Sequence, residues 1–149
     1  MFLSADISTQ VGTLALVPQV VDAVDVPVIA TGGIADARGI AAAFALGASG
    51  VQIGTAYLFC PEATIRQVHR EALKRARENE TALTNVFTGR PARGIMNRVM
   101  REVGPIGEFA PEFPLAATAL VPLRSKAEAA GSADFTPLWA GQGFPMGRE

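Results

Sequence analysis

Two turns of this sequence have the composition of a phosphate-binding loop: one contains Gly32 and Gly33, and the other contains Gly54 and Thr55. A glycine has no Cβ atom, so the backbone can approach a ligand closely and donate main-chain N–H groups to an anion. The hydroxyl of Thr55 can add a further donor. A lone Gly-Gly pair is more often only a tight turn, but two such turns on neighbouring strands favour a shared phosphate site.

The elements around these turns predict parallel strands. Residues 26–30 and 51–53 are short apolar runs, which are typical of parallel strands buried on both faces. A helical periodicity covers residues 13–24, and a second helix between the two runs begins after Asp36 and ends at Gly47. This alternation places both glycine turns at the carboxyl ends of neighbouring strands, the edge at which α/β folds bind ligands.

Local signals predict where the flanking helices begin. We expect Thr13 to cap the first helix and Pro18 to lie in or near its first turn, where a missing N–H costs least. Pro61 and Glu62 predict the start of a third helix, whose apolar stripe ends at Ala76.

The rest of the chain has a different pattern. Residues 1–12 predict a loop. The expected order after residue 80 is an extended segment (84–88), a turn-rich loop (89–94), a helix that ends at Gly104 (95–103), a linker (104–114), a helix broken by Pro122 (115–130) and a loop-like tail (131–149).

Composition excludes several classes of function. The chain is 49% hydrophobic and 18% charged with a net charge of -1, which argues against disorder and against nucleic-acid binding. The basic residues between positions 66 and 77 alternate with glutamates, as on a solvated helix face. No apolar run approaches the roughly 20 residues of a membrane helix, and we see no secretory signal. The single cysteine, Cys60, fits a reducing, cytoplasmic setting.

Several residues with chemical potential have simpler structural interpretations. His69 lies among basic residues in the middle of a predicted helix, so we expect it at the surface rather than in a catalytic role. Cys60 is expected to pack in a loop. Arg90 and Arg93 could bind an anion, but pairing with carboxylates across a domain interface is the favoured interpretation. Trp139 is expected to anchor packing rather than to stack on a ligand. No metal site is expected.

One long stretch resembles a known family. Residues 26–59, VPVIATGGIADARGIAAAFALGASGVQIGTAYLF, resemble the FMN-phosphate segment of nitronate monooxygenases and of flavin-dependent enoyl-ACP reductases. Barrels of the IMP dehydrogenase type share a looser version. Three further stretches are similar to nitronate monooxygenases in particular: LALVPQVVDAV (14–24), FTGRPARGIMNRVMRE (87–102) and PLWAGQG (137–143). The resemblance therefore covers nearly the whole chain.

The resemblance implies an α/β fold that forms the C-terminal part of a (β/α)8 TIM barrel, with its last two strands, followed by a mostly helical small-domain segment. Residues 1–80 would be a partial TIM-barrel region that binds the FMN phosphate. Residues 81–130 would be a helical segment like the family's substrate domain, and residues 131–149 would be a C-terminal loop that faces the flavin.

The resemblance also implies a reaction and its site. The family oxidises an alkyl nitronate with dioxygen, giving a carbonyl compound and nitrite. The family's contacts with FMN map to Gly33 and to residues 52–55. Gly32 is a neighbour of these contacts, and Gln142 is a candidate near the flavin ring or the substrate. The full set is Gly32, Gly33, Gln52, Ile53, Gly54, Thr55 and Gln142. The family's catalytic histidine lies in an Ala-Gly-Gly-His segment that this sequence does not contain, so no catalytic residue is assigned and we expect the chain to be a fragment.

Two alternatives remain beside the nitronate monooxygenase. One is an enoyl-ACP reductase-like flavoenzyme that uses NAD(P)H, although the TGRPARG and WAGQG stretches favour the monooxygenase. The other is a non-catalytic barrel fragment that holds FMN weakly or not at all.

A typical barrel needs about 250 residues, so two strands alone would leave unpaired edges that associate with other chains. We therefore expect the isolated chain to be poorly soluble or to self-associate. Size-exclusion chromatography with light scattering measures this directly, and a well-behaved monomer would contradict the expectation.

Overall fold

The computed structural model describes residues 6–148, in which two small sheets are surrounded by helices. The helices are α1 (Thr13–Ala23), α2 (Ala37–Ala45), α3 (Gln67–Arg75), α4 (Arg98–Val103), α5 (Leu115–Ala119) and α6 (Val121–Ala129). The strands are β1 (Ile29–Thr31), β2 (Gly50–Gln52), β3 (Thr81–Thr84) and β4 (Ala92–Ile95). Short 3-10 turns cover Ile7–Thr9, Thr55–Phe59 and Phe144–Arg148. Within this range, no helix has both the length and the apolar character that crossing a bilayer requires.

The predicted parallel pair of strands is confirmed. β1 pairs with β2 in parallel, with Ala30 opposite Val51, and α2 connects the two strands. One face of the pair packs on the helices, where Val17, Ala30, Ala43 and Ala48 form a buried cluster. The other face is open among the described residues: Ile29, which lies on that face of β1, is 64% exposed. The expectation that both faces are buried is therefore wrong for the part of the chain described.

The predicted start of α1 is displaced by one residue. Gly12, and not Thr13, is the N-cap of α1. The hydroxyl of Thr13 instead donates to the carbonyl oxygen of Gly32 at 2.9 Å, which ties α1 to the turn after β1. Pro18 is the sixth residue of α1, so it lies in the second turn and not the first. Of the loop predicted before α1, residues 1–5 lie outside the described residues, and Ile7–Thr9 forms a 3-10 turn.

The third helix begins later than Pro61 and Glu62 suggested. After the 3-10 turn Thr55–Phe59 the chain is irregular, and α3 starts only at Gln67. The guanidinium of Arg70 explains this difference, because it donates to carbonyl oxygens at the end of the 3-10 turn and in the irregular segment, at Leu58, Phe59, Cys60 and Ala63. These carbonyl groups are thus satisfied by a side chain rather than by helical hydrogen bonds. The end of the predicted apolar stripe is buried as expected, at Leu73 and Ala76.

A β-hairpin occupies residues that the sequence pattern assigned differently. β3 and β4 pair antiparallel with Leu83 opposite Arg93, so the loop predicted over residues 89–94 is wrong from Ala92 onwards, and the extended segment predicted at 84–88 is shifted to Thr81–Thr84. Residues near the C-terminus add to the hairpin. The amide of Ile95 donates to the carbonyl oxygen of Leu138 at 2.8 Å.

The later helices follow the predicted order. α4 starts at Arg98 rather than at residue 95, because residues 92–95 belong to β4, and it ends at Gly104 as predicted. The helix expected over residues 115–130 divides at Leu120 into α5 and α6, and Pro122 is the second residue of α6. The predicted break near Pro122 is therefore confirmed.

Asn97 joins α4 to the loop that follows α6, and we expect this connection to stabilise the fold. Its Oδ1 accepts from the amide of Met100, while its Nδ2 donates to the carbonyl oxygens of Ala133 and Thr136 at 3.0 and 2.9 Å. Asn97→Ala removes a helix cap and two buried donors, so we expect a loss of about 3 kcal/mol in unfolding free energy. Asn97→Ser keeps the cap acceptor and should lose about 2 kcal/mol.

Urea denaturation followed by circular dichroism measures both variants. Equal stability of the alanine variant and the original chain would contradict the assigned role of Asn97.

Candidate functional site

The turns that follow β1 and β2 open onto one cavity of about 190 Å³, which we call the glycine cavity. Its lining brings together most of the residues singled out in the sequence and adds a part of the chain 86 residues further on. Its lining includes Gly32, Gly33, Gln52, Gly54, Thr55 and Gly141.

Gly33 and Gly54 have no side chains, so their main-chain groups can be approached closely by a ligand in this cavity. Gly33 has a φ of +75°, a conformation that residues with a Cβ rarely adopt. A Cβ added at Gly33 or at Gly54 would meet no atom within 4 Å. Among residues 6–148, no backbone acceptor outside regular elements receives a hydrogen bond from the amides of Gly33, Gly54 or Thr55. These three N–H groups are therefore available to a ligand.

The third wall of the cavity is the C-terminal segment, defined here as residues 138–147. The amide of Gly141 donates to Oγ1 of Thr55 at 2.9 Å. Gly143 packs so closely that a Cβ there would lie 2.6 Å from the carbonyl oxygen of Gly33. Sequence analysis did not assign Gly141 and Gly143 to the site. Their spacing in WAGQG was the available signal, because closely spaced glycines often mark a close approach of two backbones.

The electrostatic field in the cavity comes from the dipoles of backbone groups and not from charged side chains. No Asp, Glu, Lys or Arg side chain is among the residues that line it in the described part of the chain. The adjacent start of α2 is capped by Asp36, whose Oδ1 accepts from the amide of Gly39 at 3.0 Å, as the sequence predicted. That hydrogen bond, and a second one from Arg38, hold the pKa of Asp36 below its usual value. The carboxylate of Asp36 thus occupies one of the free amides at the start of α2, so an anion in the cavity would depend mainly on the loop amides.

Two of the residues predicted to contact FMN do not line the glycine cavity. Ile53 lines a neighbouring cavity of about 500 Å³ together with Tyr57 and Cys60. Gln142 is exposed and does not line the glycine cavity. Gln52 does line it, and its carbonyl oxygen accepts from the hydroxyl of Thr31 at 2.9 Å, which links the ends of the two strands.

Other polar residues have structural partners. Arg93 donates to the carbonyl oxygen of Thr81 at 3.3 Å, and the guanidinium of Arg90 lies 5.3 Å from the centre of the Phe113 ring. Trp139 packs edge-on against Phe87 with ring centres 5.6 Å apart, which agrees with a packing role.

His69 is not at the surface as expected. It is half-buried, because the C-terminal segment covers it, and its Nε2 lies 3.1 Å from the carbonyl oxygen of Trp139. Burial lowers the pKa of His69, and the hydrogen bond to Trp139 partly opposes that effect.

Parallel strands whose carboxyl ends meet at a cavity of backbone donors define an α/β protein with its binding edge at those ends. This chain belongs to the nitronate monooxygenase family, whose family model matches residues 4–149.

Individual relatives agree with this membership. A probable nitronate monooxygenase from Staphylococcus saprophyticus is 40% identical over 93% of this chain and 39% of its own length. A nitronate monooxygenase from Pseudomonas aeruginosa is 46% identical over 93% of this chain and 40% of its own length. The chain thus spans about two fifths of the length of these relatives.

Solved structures also match. A nitroalkane oxidase from Streptomyces ansochromogenes superposes with a TM-score of 0.87 and 44% identity, over 96% of this chain and 41% of that protein. The FabK structure from Thermotoga maritima gives a TM-score of 0.75 and 36% identity, over 94% of this chain and 44% of that protein.

The contact between Gly143 and Gly33 leads to a prediction with a built-in control. Gly143→Ala would force a methyl group against a backbone carbonyl, so we expect a loss of about 2 kcal/mol in unfolding free energy. At Gly141 a Cβ would lie 3.7 Å from Oγ1 of Thr55, an ordinary contact, so Gly141→Ala should change stability by less than about 0.5 kcal/mol.

The two variants are compared by thermal and urea denaturation. If both have the same stability, the close approach of the C-terminal segment to Gly33 is wrong.

Proposed function

We propose that this chain is the part of a nitronate monooxygenase-like flavoenzyme that holds the phosphate end of FMN. The observation that supports this proposal is the glycine cavity, which is lined by Gly33, Gly54 and Thr55, three residues whose amides donate none of the hydrogen bonds found among residues 6–148. Cavities that take a whole ligand usually measure about 300–1,000 Å³. A cavity of 190 Å³ suits one end of a ligand.

The donors in this cavity fit a phosphate. A phosphate monoester presents several strong acceptor oxygens, and the cavity offers main-chain donors without a lining carboxylate to repel it. Oγ1 of Thr55 accepts from Gly141, and its own hydrogen donates none of the hydrogen bonds found within residues 6–148. We therefore assign that hydrogen to a phosphate oxygen.

The remaining contacts with FMN are proposed from the family resemblance and from position. Gly32 shapes the first turn, and Gln52 lines the cavity. Ile53 and Gln142 are proposed as neighbours of the cofactor outside the cavity. When bound, FMN supplies the redox chemistry by which an alkyl nitronate and dioxygen give a carbonyl compound and nitrite. No histidine or carboxylate lines the cavity in the described range, so we assign no proton-transfer role to this site.

We further propose that β1 and β2 are the last two strands of a (β/α)8 barrel. Two features support this: the strands pair in parallel through α2, and the face that carries Ile29 is open. In a complete barrel, the side chains of the other strands would cover that face. The proposed division is a barrel region (1–80), a helical segment like a substrate domain (81–130) and a C-terminal loop (131–149). The ion pair between Arg66 and Glu128 connects the first two regions. Self-association of the isolated chain through the open strands follows from the same proposal.

The enoyl-ACP reductase-like activity is the second candidate. The FabK structure supports it less strongly, since it matches with a TM-score of 0.75 against 0.87 for the nitroalkane oxidase. A non-catalytic fragment that holds no flavin is the third candidate.

Thr55 provides the sharpest test of cofactor binding. Thr55→Val removes a donor to a charged phosphate, so we expect the affinity for FMN to fall by about tenfold or more. Thr55→Ser retains the hydroxyl and should bind FMN almost as tightly as the original chain. Quenching of flavin fluorescence measures both, with riboflavin as a ligand that lacks the phosphate. An equal loss of FMN and riboflavin affinity in the valine variant would contradict the phosphate assignment.

Activity separates the candidates. In a protein where this chain is joined to the remaining barrel strands and the catalytic histidine, we expect release of nitrite from an alkyl nitronate under air, and no oxidation of NADH with an enoyl thioester. The opposite pattern would favour the enoyl reductase, and a purified chain with no flavin absorbance and no FMN affinity would leave only the non-catalytic fragment.

A further inference from the structure

His69 lies outside the glycine cavity but contacts the segment that forms its third wall. Nε2 of His69 is 3.1 Å from the carbonyl oxygen of Trp139. A carbonyl oxygen can only accept, so Nε2 carries the hydrogen in this contact. The ring also lines a separate cavity of about 270 Å³, which it shares with Arg66, Arg124 and Glu128.

The C-terminal segment is held on two opposite edges near this contact. On one edge the carbonyl oxygen of Leu138 accepts from the amide of Ile95 at 2.8 Å, and the amide of Ala140 donates to the carbonyl oxygen of Arg93 at 3.2 Å. Consecutive carbonyl groups of an extended chain point in opposite directions, so the carbonyl group of Trp139 faces the other edge. His69 is the partner that it meets there.

The same short stretch leads directly to the glycine cavity. Gly141 follows Trp139 by two residues, and its amide donates to Oγ1 of Thr55 at 2.9 Å. A shift of the backbone at Trp139 therefore moves the donor that orients the Thr55 hydroxyl. Because β4 holds only one edge of the stretch, the hydrogen bond from His69 restricts rotation of the stretch about that edge.

We propose that His69 is a positioning residue for the glycine cavity: it holds the carbonyl group of Trp139 so that Gly141 stays bonded to Thr55. This inference deepens the proposed function and rests on it where FMN is concerned. His69 does not touch the cavity, so its effect on a ligand passes through the C-terminal segment.

The surroundings of His69 make this contact sensitive to pH. Arg66, at the start of α3, and Arg124, on α6, share the single carboxylate of Glu128, so these groups already have a net positive charge. A proton on His69 leaves the Nε2–H donor in place but adds a second positive charge beside them, so the pH sensitivity comes from repulsion between the ring and the two arginines. Burial lowers the pKa of His69 below 6.5, so the unfolded chain takes up the proton first as the pH falls. The stability that neutral His69 contributes is present above pH 6.5 and is lost as the pH falls through the lowered pKa.

Hydrogen exchange of the Gly141 amide tests the positioning without any flavin. We expect His69→Ala to speed exchange at Gly141 by about 3- to 10-fold, the effect of losing one hydrogen bond. His69→Gln keeps a side-chain donor and should restore most of the protection. Gln67→Ala is the matched control, since Gln67 is exposed on the same helix and its amide bonds to Glu71. The amide of Gly107, bonded to Asn85, should not change in any variant.

Affinity for FMN is then measured on the full chain by fluorescence quenching, from about pH 7.5 to about pH 5.5, which spans the ordinary imidazole pKa. The phosphate of FMN titrates in the same range, so each value is compared with that of His69→Gln, in which the ligand's titration is identical. We expect the original chain to lose affinity relative to His69→Gln as the pH falls, and His69→Ala to bind about 3- to 10-fold more weakly at neutral pH.

The outcomes distinguish the two proposals. Unchanged exchange at Gly141 in His69→Ala overturns the positioning role, as does an identical pH profile for the original chain and His69→Gln. If exchange responds as expected but no variant binds FMN, the positioning role is supported and the cofactor assignment fails. If His69→Ala does not fold, the comparison between the original chain and His69→Gln at low pH decides.

Discussion

The hydrogen bond from the amide of Gly141 to Oγ1 of Thr55 is the contact on which the site depends. It joins two positions 86 residues apart at 2.9 Å, and it closes the glycine cavity on the side that β1 and β2 leave open. The contact has two effects: it fixes the C-terminal segment beside the Gly33 turn, and it directs the Thr55 hydroxyl so that its hydrogen is available. The close packing of Gly143 on Gly33 and the hairpin contacts of Leu138 follow from the same placement.

Anion binding at this site would depend on the orientation of backbone N–H groups rather than on the net charge of nearby side chains. No lysine or arginine lines the cavity in the described residues, and Asp36 already occupies the amide of Gly39 at the start of α2. The remaining donors are backbone N–H groups whose positions are fixed by neighbouring strands. Fixed dipoles of this kind need no rearrangement when a ligand arrives, and they favour a ligand whose oxygens match their geometry over any anion of equal charge.

Sequence patterns predicted the features that depend on neighbours in the chain. The parallel strand pair, the Asp36 cap, the end of α4 at Gly104 and the break near Pro122 all follow from local periodicity and from the chemistry of single residues. The features that the patterns missed depend on distant partners. Gly94 belongs to β4 because Ala82 and Trp139 pair with it. The segment before α3 is irregular because Arg70 satisfies its carbonyl groups. His69 is covered by a loop 70 residues away. Glycine composition suggested a phosphate site in the first two turns. The family resemblance placed residues 131–149 near the flavin, but the contacts of Gly141 with Thr55 and of Gly143 with Gly33 are visible only in three dimensions.

The construction of one cavity from two remote stretches of chain couples ligand occupancy to the order of the C-terminal segment. A molecule that contacts both the Gly33 turn and the residues around Gly141 binds only when residues 138–147 are docked, so its binding free energy adds to the cost of undocking them. That segment would then be protected from proteases when the cavity is filled and cleaved more readily when it is empty.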